Sequence, residues 1–204
     1  MITIIDYGVG NINSFLNVYK RLDIAIKVAK KADDLVGASK IILPGVGSFD
    51  YAMQRLNNSG MREQLDEQVL VDKVPVIGIC VGMQMMGNYS EEGNEDGLKW
   101  IDASIKKFDV SKIKIHTKLP HMGWNDVTPT NNHFLFKGLE DESIFYFLHS
   151  YYFHCNDKSN IIAASQYGEE FACAINKGNI YGIQFHPEKS HHYGEILLHN
   201  FAKI

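Results

Sequence analysis

Cysteine is scarce in this chain of 204 residues, with three in total: Cys80, Cys155 and Cys173. A small, odd number argues against a disulfide framework and so against the class of small disulfide-stapled secreted domains. The N-terminus also lacks the basic segment of a secretory signal peptide, and Asp6 interrupts its apolar stretch early. A reducing cytoplasm is therefore the expected location.

Long apolar runs and an excess of positive charge are also missing. No run approaches the roughly 20 apolar residues that cross a bilayer as a helix, so we expect no membrane span. The net charge is −4 at pH 7, which gives no electrostatic reason to expect nucleic acid or an anionic membrane as a partner.

Two common ligand-binding patterns are absent or incomplete. No histidine or cysteine spacing typical of metal ligands occurs, and nothing resembles the H-E-x-x-H motif. Gly8-Val9-Gly10 follows the first apolar run as a dinucleotide fingerprint would, but Asn13 stands where the third glycine is needed. We therefore predict neither a metal site nor a bound cofactor.

The N-terminal half alternates short apolar runs with amphipathic patterns. Such alternation is typical of βαβ units, and strands that are apolar throughout indicate a parallel sheet covered on both faces. The predicted strands are 2–6, 24–29, 40–45 and 74–80, and the predicted helices are 11–22, 48–56 with Ser48 as N-cap, and 61–70. A further helix is predicted to start directly after position 80.

The second half is rich in short, closely spaced β patterns, at 104–108, 112–116, 123–127, 144–149, 151–154, 161–167, 171–176 and 179–186, before a last helix at 192–204. Close spacing favours hairpins. We therefore predict one domain over residues 1–204, a three-layer α/β fold whose central, mostly parallel sheet has an antiparallel extension.

Gly78-Ile79-Cys80-Val81-Gly82 has the shape of a nucleophile elbow with cysteine in the serine position. A sharp strand-to-helix turn lifts the side chain clear of the sheet and requires small neighbours, and the following helix N-terminus favours a thiolate. The backbone amide of Val81 is then free to donate to an oxyanion. The local sequence leaves a second interpretation open, in which Cys80 is a small buried hydrophobe.

A nucleophilic cysteine needs a base, and the base needs an orienting group. His186-Pro187-Glu188 ends an apolar strand, so His186 is predicted to face the crevice at the carboxyl edge of the sheet with Glu188 folded back onto the imidazole. Gly45 and Val46, in the Pro44–Gly47 stretch after strand 40–43, are candidates for a further oxyanion amide, although this stretch alone is also compatible with a tight βα turn.

Six segments together resemble the class I, triad-type glutamine amidotransferases, and most closely the glutaminase subunits of imidazole glycerol phosphate synthase. They are 6–11 (DYGVGN), 43–49 (LPGVGSF), 78–84 (GICVGMQ), 120–125 (PHMGWN), 149–152 (HSYY) and 184–190 (QFHPEKS). The resemblance implies a flavodoxin-like fold, hydrolysis of L-glutamine and a (βα)₈-barrel synthase partner that uses the ammonia in histidine biosynthesis.

The resemblance also implies roles for individual residues. Cys80, His186 and Glu188 match the family's triad, and Gly45, Val46 and Val81 match the oxyanion positions. The positions that hold glutamine are matched by Gly82, Gln84, Glu92, Ser150 and Tyr151. The positions that face the partner are matched by Asn11, Ser14, Met122, Trp124 and Lys189.

Three other functions stay open at this stage. The first is a paralogous subunit that supplies ammonia for amidation of a surface-polysaccharide sugar. The second is a binding module that keeps the fold without catalysis, against which the complete triad argues. The third is an unrelated cysteine hydrolase such as a peptidase, against which Gln84 and the segment around Trp124 argue.

Overall fold

A computed structural model describes residues 1–114, 118–139 and 143–204. Its parallel strands pair in the order β2-β1-β3-β4-β12. They are β1 (Ile2–Ile5), β2 (Ile26–Ala29), β3 (Lys40–Gly45), β4 (Val76–Cys80) and β12 (Ile180–Ile183). The buried residues along β1, β4 and β12 match the expected sheet covered on both faces.

The helices are α1 (Ile12–Arg21), α2 (Phe49–Asn58), α3 (Arg62–Asp66), α4 (Val81–Gln84) and α5 (His191–Ala202). From β1 to β2 the chain moves toward one edge of the sheet, and from β3 to β4 it moves toward the opposite edge. Crossovers between parallel strands follow a right-handed rule, which places α1 and α2 on opposite faces of the sheet. α5 contacts α1 on the first face, which completes three layers.

The antiparallel part continues from β12 in the order β11-β10-β7-β8, with β9 beside β11 and β6. Its strands are β5 (Tyr89–Ser90), β6 (Ala103–Lys107), β7 (His121–Pro129), β8 (Ser143–His149), β9 (Tyr151–Cys155), β10 (Ile161–Tyr167) and β11 (Glu169–Lys177). The predicted fold class is confirmed: a parallel sheet that an antiparallel extension roughly doubles in width.

Several local predictions need correction. Ser48 does precede α2, but its side chain makes no capping hydrogen bond, and Glu92 instead accepts from the Phe49 amide at 2.7 Å. The helix predicted at 61–70 is a short α3 that changes into a π-helical turn at Glu67–Val71. The helix predicted to follow Cys80 is the single turn α4.

The strand predicted at 112–116 is not found at 112–114, and its remaining residues lie outside the described part of the chain. Among the described residues, no helix has the length and apolar character needed to cross a bilayer.

Candidate functional site

Cys80 lies at the junction of β4 and α4 in a backbone conformation that side chains rarely adopt, with φ 54° and ψ −112°. A non-glycine residue held at positive φ is strained, and such strain concentrates at functional turns. The residue is 3% exposed, and its Sγ lies 3.8 Å from the main-chain oxygen of Leu148. The sequence prediction of an elbow therefore corresponds to the observed geometry.

Glycine is needed on both sides of the elbow because backbone segments pass too close for a side chain. A Cβ at Gly78 would lie 2.6 Å from the carbonyl oxygen of Gly82, closer than real Cβ contacts come. A Cβ at Gly82 would collide with the main chain at Leu43 in β3. β3 also pairs with the end of β4, where Gly45 stands opposite Cys80, so the 44–47 stretch lies directly beside the sulfur-bearing residue.

His186 and Glu188 lie in the turn after β12, the strand next to β4. The His186 Nδ1 is 2.9 Å from Glu188 Oε1, and both side chains are almost fully buried. Burial disfavours a charged imidazole, but hydrogen bonds and charge from Cys80 and Glu188 outweigh it and raise the pKa of His186 to about 10. The site therefore favours the protonated form of the His186 imidazole.

A cavity of about 300 Å³ opens beside the Cys80 sulfur, at the lower end of the range for small-molecule sites. Its walls are Val46, Gly47, Cys80, Val81, Gln84, Glu92, Pro120, Leu148, His149, Ser150, Tyr151, His186 and Lys189. Among the described residues, Gly45 and Gly82 are not part of these walls. Their backbones pack closely against each other, since a Cβ at Gly45 would collide with the Gly82 nitrogen. No cluster placed to hold a metal ion occurs in the same residues.

Comparison with known proteins fits this geometry. Residues 3–204 match the family model described as glutamine amidotransferase class-I. The chain belongs to the class-I glutamine amidotransferase family.

Curated relatives of this amidotransferase span the whole chain. It is 55% identical over 204 residues to the imidazole glycerol phosphate synthase subunit HisH of Bdellovibrio bacteriovorus, with 100% of both chains covered. It is 48% identical to the subunit of that name from Leptospira interrogans and 46% identical to subunit HisH 2 of Pseudomonas aeruginosa, again with 100% of both chains covered.

Solved structures show the same fold at low identity. A glutamine amidotransferase crystal structure matches with TM-score 0.76 and 17% identity, covering 99% of this chain and 97% of the other. A chain of the PurLQS structure from Thermotoga maritima matches with TM-score 0.74 and 15% identity, covering 99% and 97%.

The residues predicted to face a partner lie at the rim of the amidotransferase site. Met122 and Trp124 in β7 are 61% and 45% exposed, and they pair with Leu148 and Tyr146 of β8. We call the outward side chains of these four residues the β7–β8 face. Three of its residues, Met122, Trp124 and Leu148, are exposed apolar side chains, and they lie next to the cavity that Leu148 and Lys189 line.

Further residues extend this rim. Lys189 Nζ lies 5.6 Å from the centre of the Tyr146 ring, and the ring of His191 stacks on Trp124 with a centroid distance of 5.3 Å. Asn11 and Ser14 lie at the start of α1, which contacts the Pro187–Lys189 turn. Of the five predicted interface residues, Lys189 is therefore part of the cavity wall and Met122 pairs with the wall residue Leu148. Trp124 lies two residues along β7, and Asn11 and Ser14 belong to the start of a helix that contacts the turn carrying Lys189.

Sequence reasoning missed a buried histidine pair behind this site. His121 Nδ1 lies 3.0 Å from His149 Nε2, and His149 Nδ1 lies 2.8 Å from the Tyr151 carbonyl, which only accepts. The Asn125 side-chain amide donates to His121 Nε2 at 3.2 Å. Both rings therefore carry their proton on Nδ1, and the chain of donors ends at Tyr151. The local sequence pattern gave no such signal, because strand alternation would place the apolar Met122 and Trp124 inward and His121 outward, the reverse of what the structure shows.

Both histidines are neutral in the folded chain. Burial lowers the pKa of His121 to about 4. Burial, with additional repulsion from His121 and His186, lowers the pKa of His149 to about 3. Because an unfolded chain takes up these protons below about pH 6.5, the folded state is favoured above that pH and loses stability as the pH falls.

Replacing His121 with glutamine should flatten the acid dependence of stability. The unfolding free energy of the native chain should fall by about 1.4 kcal/mol per pH unit for each of the two histidines between pH 6.5 and 5, and His121→Gln should remove one such contribution. Urea unfolding at several pH values measures the slope. His192→Asn, at an exposed histidine, serves as control. An equal change of the pH slope in both variants would contradict the conclusion that His121 is buried in its neutral form.

Proposed function

We propose that this chain is the glutaminase subunit of an imidazole glycerol phosphate synthase, working as one amidotransferase domain over residues 1–204 in the cytoplasm. It hydrolyses L-glutamine and delivers ammonia to a (βα)₈-barrel subunit, which forms imidazole glycerol phosphate and AICAR in histidine biosynthesis. The observation that carries the proposal is the arrangement of Cys80, His186 and Glu188 at a glutamine-sized cavity. The names of the full-length relatives support the pathway.

The first half of the reaction forms a thioester. The Cys80 thiolate attacks the side-chain carbonyl carbon of glutamine, and the tetrahedral oxyanion accepts hydrogen bonds from the amides of Val81 and Val46. The His186 imidazolium gives its proton to the departing nitrogen, which leaves as ammonia. The γ-glutamyl group then remains bonded to the Cys80 sulfur.

The second half releases glutamate. Neutral His186 removes a proton from water, the hydroxide adds to the thioester carbon, and the carbon–sulfur bond breaks to restore the thiolate. Glu188 holds the proton on Nδ1, so that Nε2 faces the sulfur and the water, and it stabilises the charged ring. A raised pKa of His186 suits this role because its charged form must be available at neutral pH.

Glutamine is recognised by the wall opposite the triad. Glu92 is the carboxylate in the cavity that suits the substrate's ammonium group, and its Oε2 is fixed by the Phe49 amide at 2.7 Å. Gln84 uses both amide hydrogens within the protein and keeps its oxygen for the substrate. Ser150 and Tyr151 close the wall between β8 and β9, and Gly82 allows the close approach behind it.

The β7–β8 face is the contact surface for the barrel subunit. Ammonia becomes ammonium in water at neutral pH, so a docked partner and a closed passage keep it nucleophilic. The exposed Trp124 and Met122 supply the aromatic and apolar anchor that central interface positions favour. Lys189, beside Tyr146 of this face, and Asn11 and Ser14, at the start of the helix that contacts the Lys189 turn, are the proposed polar contacts.

Trp124→Ala should weaken binding of the barrel subunit by about 10- to 100-fold, because buried tryptophans at interfaces commonly contribute about 2 kcal/mol or more. Titration calorimetry with the purified barrel subunit measures the dissociation constant. Phe134→Ala is the matched control, since Phe134 is 43% exposed but lies beyond the far end of β7 from the cavity. Unchanged affinity in Trp124→Ala would remove the β7–β8 face from the interface.

Turnover of glutamine by the chain alone, with the barrel subunit, and with that subunit plus its acceptor ligand tests the coupling. We expect the rate to rise at each step, since a glutaminase that idles without acceptor avoids wasting glutamine. The Gly45–Gly47 stretch is the proposed switch. Equal rates in all three conditions would contradict it, and amination of a polysaccharide sugar instead would assign the chain to the paralogous branch.

A further inference from the structure

Gln184 directly follows β12 and is fully buried two residues before His186. Its side-chain nitrogen lies 3.6 Å from the Cys80 sulfur, within hydrogen-bond range for sulfur. Among the described residues that form the cavity walls, Gln184 does not appear, so it approaches the sulfur from the protein side. Gln184 therefore contacts the Cys80 sulfur on the side away from the cavity and does not line the substrate site.

The orientation of the Gln184 amide is fixed by a main-chain carbonyl. Gln84 Nε2 lies 3.0 Å from the Tyr151 carbonyl oxygen, and this nitrogen cannot be exchanged with Gln84 Oε1 without placing two acceptors together. The second hydrogen of the same nitrogen goes to Gln184 Oε1, also at 3.0 Å. The remaining Gln184 group facing Cys80 is thus the N–H₂ donor.

This arrangement acts on the charge of the sulfur. A neutral thiol can donate to the Leu148 carbonyl, which repels a thiolate. A thiolate needs donors, and in this buried place a hydrogen bond to a charged acceptor is roughly twice as strong as one between neutral groups. The single turn α4 offers a smaller helix dipole than a longer helix would, which leaves more of this task to side chains.

We propose that Gln184 is a catalytic residue that donates to the Cys80 thiolate, and that Gln84 is a positioning residue that sets the direction of this donor. The proposal rests on the function above, in which Cys80 is the nucleophile. His149 also donates to the Tyr151 carbonyl, so the histidine pair holds the fixed end of the same chain of hydrogen bonds.

Gln184→Met, which keeps the length and removes both the donor to Cys80 and the acceptor for Gln84, tests the proposal in the full complex with the barrel subunit. Alkylation of Cys80 by iodoacetamide at pH 7, followed by peptide mass mapping, should slow by about 10-fold or more, as expected for a lost hydrogen bond to a charged group. The kcat for glutamine should fall by a similar factor in this variant and in Gln184→Glu, and KM should stay within about twofold in Gln184→Glu, which keeps the acceptor for Gln84. Gln184→Glu, which keeps the acceptor for Gln84 but not the N–H₂ group, should slow alkylation at pH 8 as well.

Gln68→Met is the matched control, because Gln68 is 4% exposed but lies in the π-helical turn before β4, at the opposite end of that strand from Cys80. We expect native alkylation and kinetics from it. If both Gln184 variants fold and keep the wild-type alkylation rate and kcat, the proposed role of Gln184 is wrong, while the proposed function stands. Glutaminase activity that survives Cys80→Ala would instead overturn the proposed function.

Discussion

Replacing Cys80 with alanine should abolish glutamine hydrolysis, lowering kcat by at least about 10⁴-fold, as removal of a covalent nucleophile does in comparable hydrolases. The physical reason is that no other described group lies where the sulfur lies, between the cavity and the His186 imidazole. Glutamate release by the complex with its barrel subunit measures the loss. A diazo-ketone analogue of glutamine should also alkylate the native chain once, at Cys80.

Cys155→Ala is the matched control for this experiment. Burial, and to a lesser extent Asp157, raises the pKa of the Cys155 thiol to about 12, so this thiol is protonated and unreactive at neutral pH. Full activity in Cys155→Ala with none in Cys80→Ala is the expected pair of results. A Cys80→Ala enzyme that keeps more than about a hundredth of the native rate would refute covalent catalysis at this position.

Glu188→Gln should lower kcat by about 10³- to 10⁴-fold, the size of effect seen when the acid of a catalytic triad becomes an amide. A glutamine can turn its N–H₂ toward His186 Nδ1, which then loses its proton and places the wrong tautomer before Cys80. The change also removes the charge that helps to offset burial of the ring, so the pKa of His186 falls from about 10.

The pH profile separates this effect from simple damage. The His186 proton is held up to about pH 10 in the native chain, and the stability that its pairing adds is complete below about pH 6.5 and lost as the pH rises through 10. The alkaline limb of kcat should therefore move to lower pH in Glu188→Gln. Glu195→Gln, which removes a surface ion pair with Arg21, should leave rate and profile unchanged. An unshifted limb in Glu188→Gln would contradict the orienting role.

Prediction from the sequence succeeded where a local pattern has one physical meaning. Apolar runs without polar interruption could only be covered strands, and β1, β3 and β4 lie within one or two residues of their predicted bounds. It failed where a residue distant in sequence makes the hydrogen bond that was predicted for a neighbour. The Phe49 amide donates to Glu92, 43 residues away, and not to the predicted N-cap Ser48.

The sequence by itself determined the chemistry available to the chain: a cysteine between glycines, a His-x-Glu turn and a glycine-rich third stretch, in an order that identifies the amidotransferase family. Only the tertiary structure decided which groups act on the sulfur. The hydrogen bonds that orient these groups join residues far apart in the chain. Gln84 donates to the Tyr151 carbonyl, 67 positions away, and to the Gln184 side chain, 100 positions away. Such contacts arise when strands meet at one edge of a sheet, and no local periodicity encodes them.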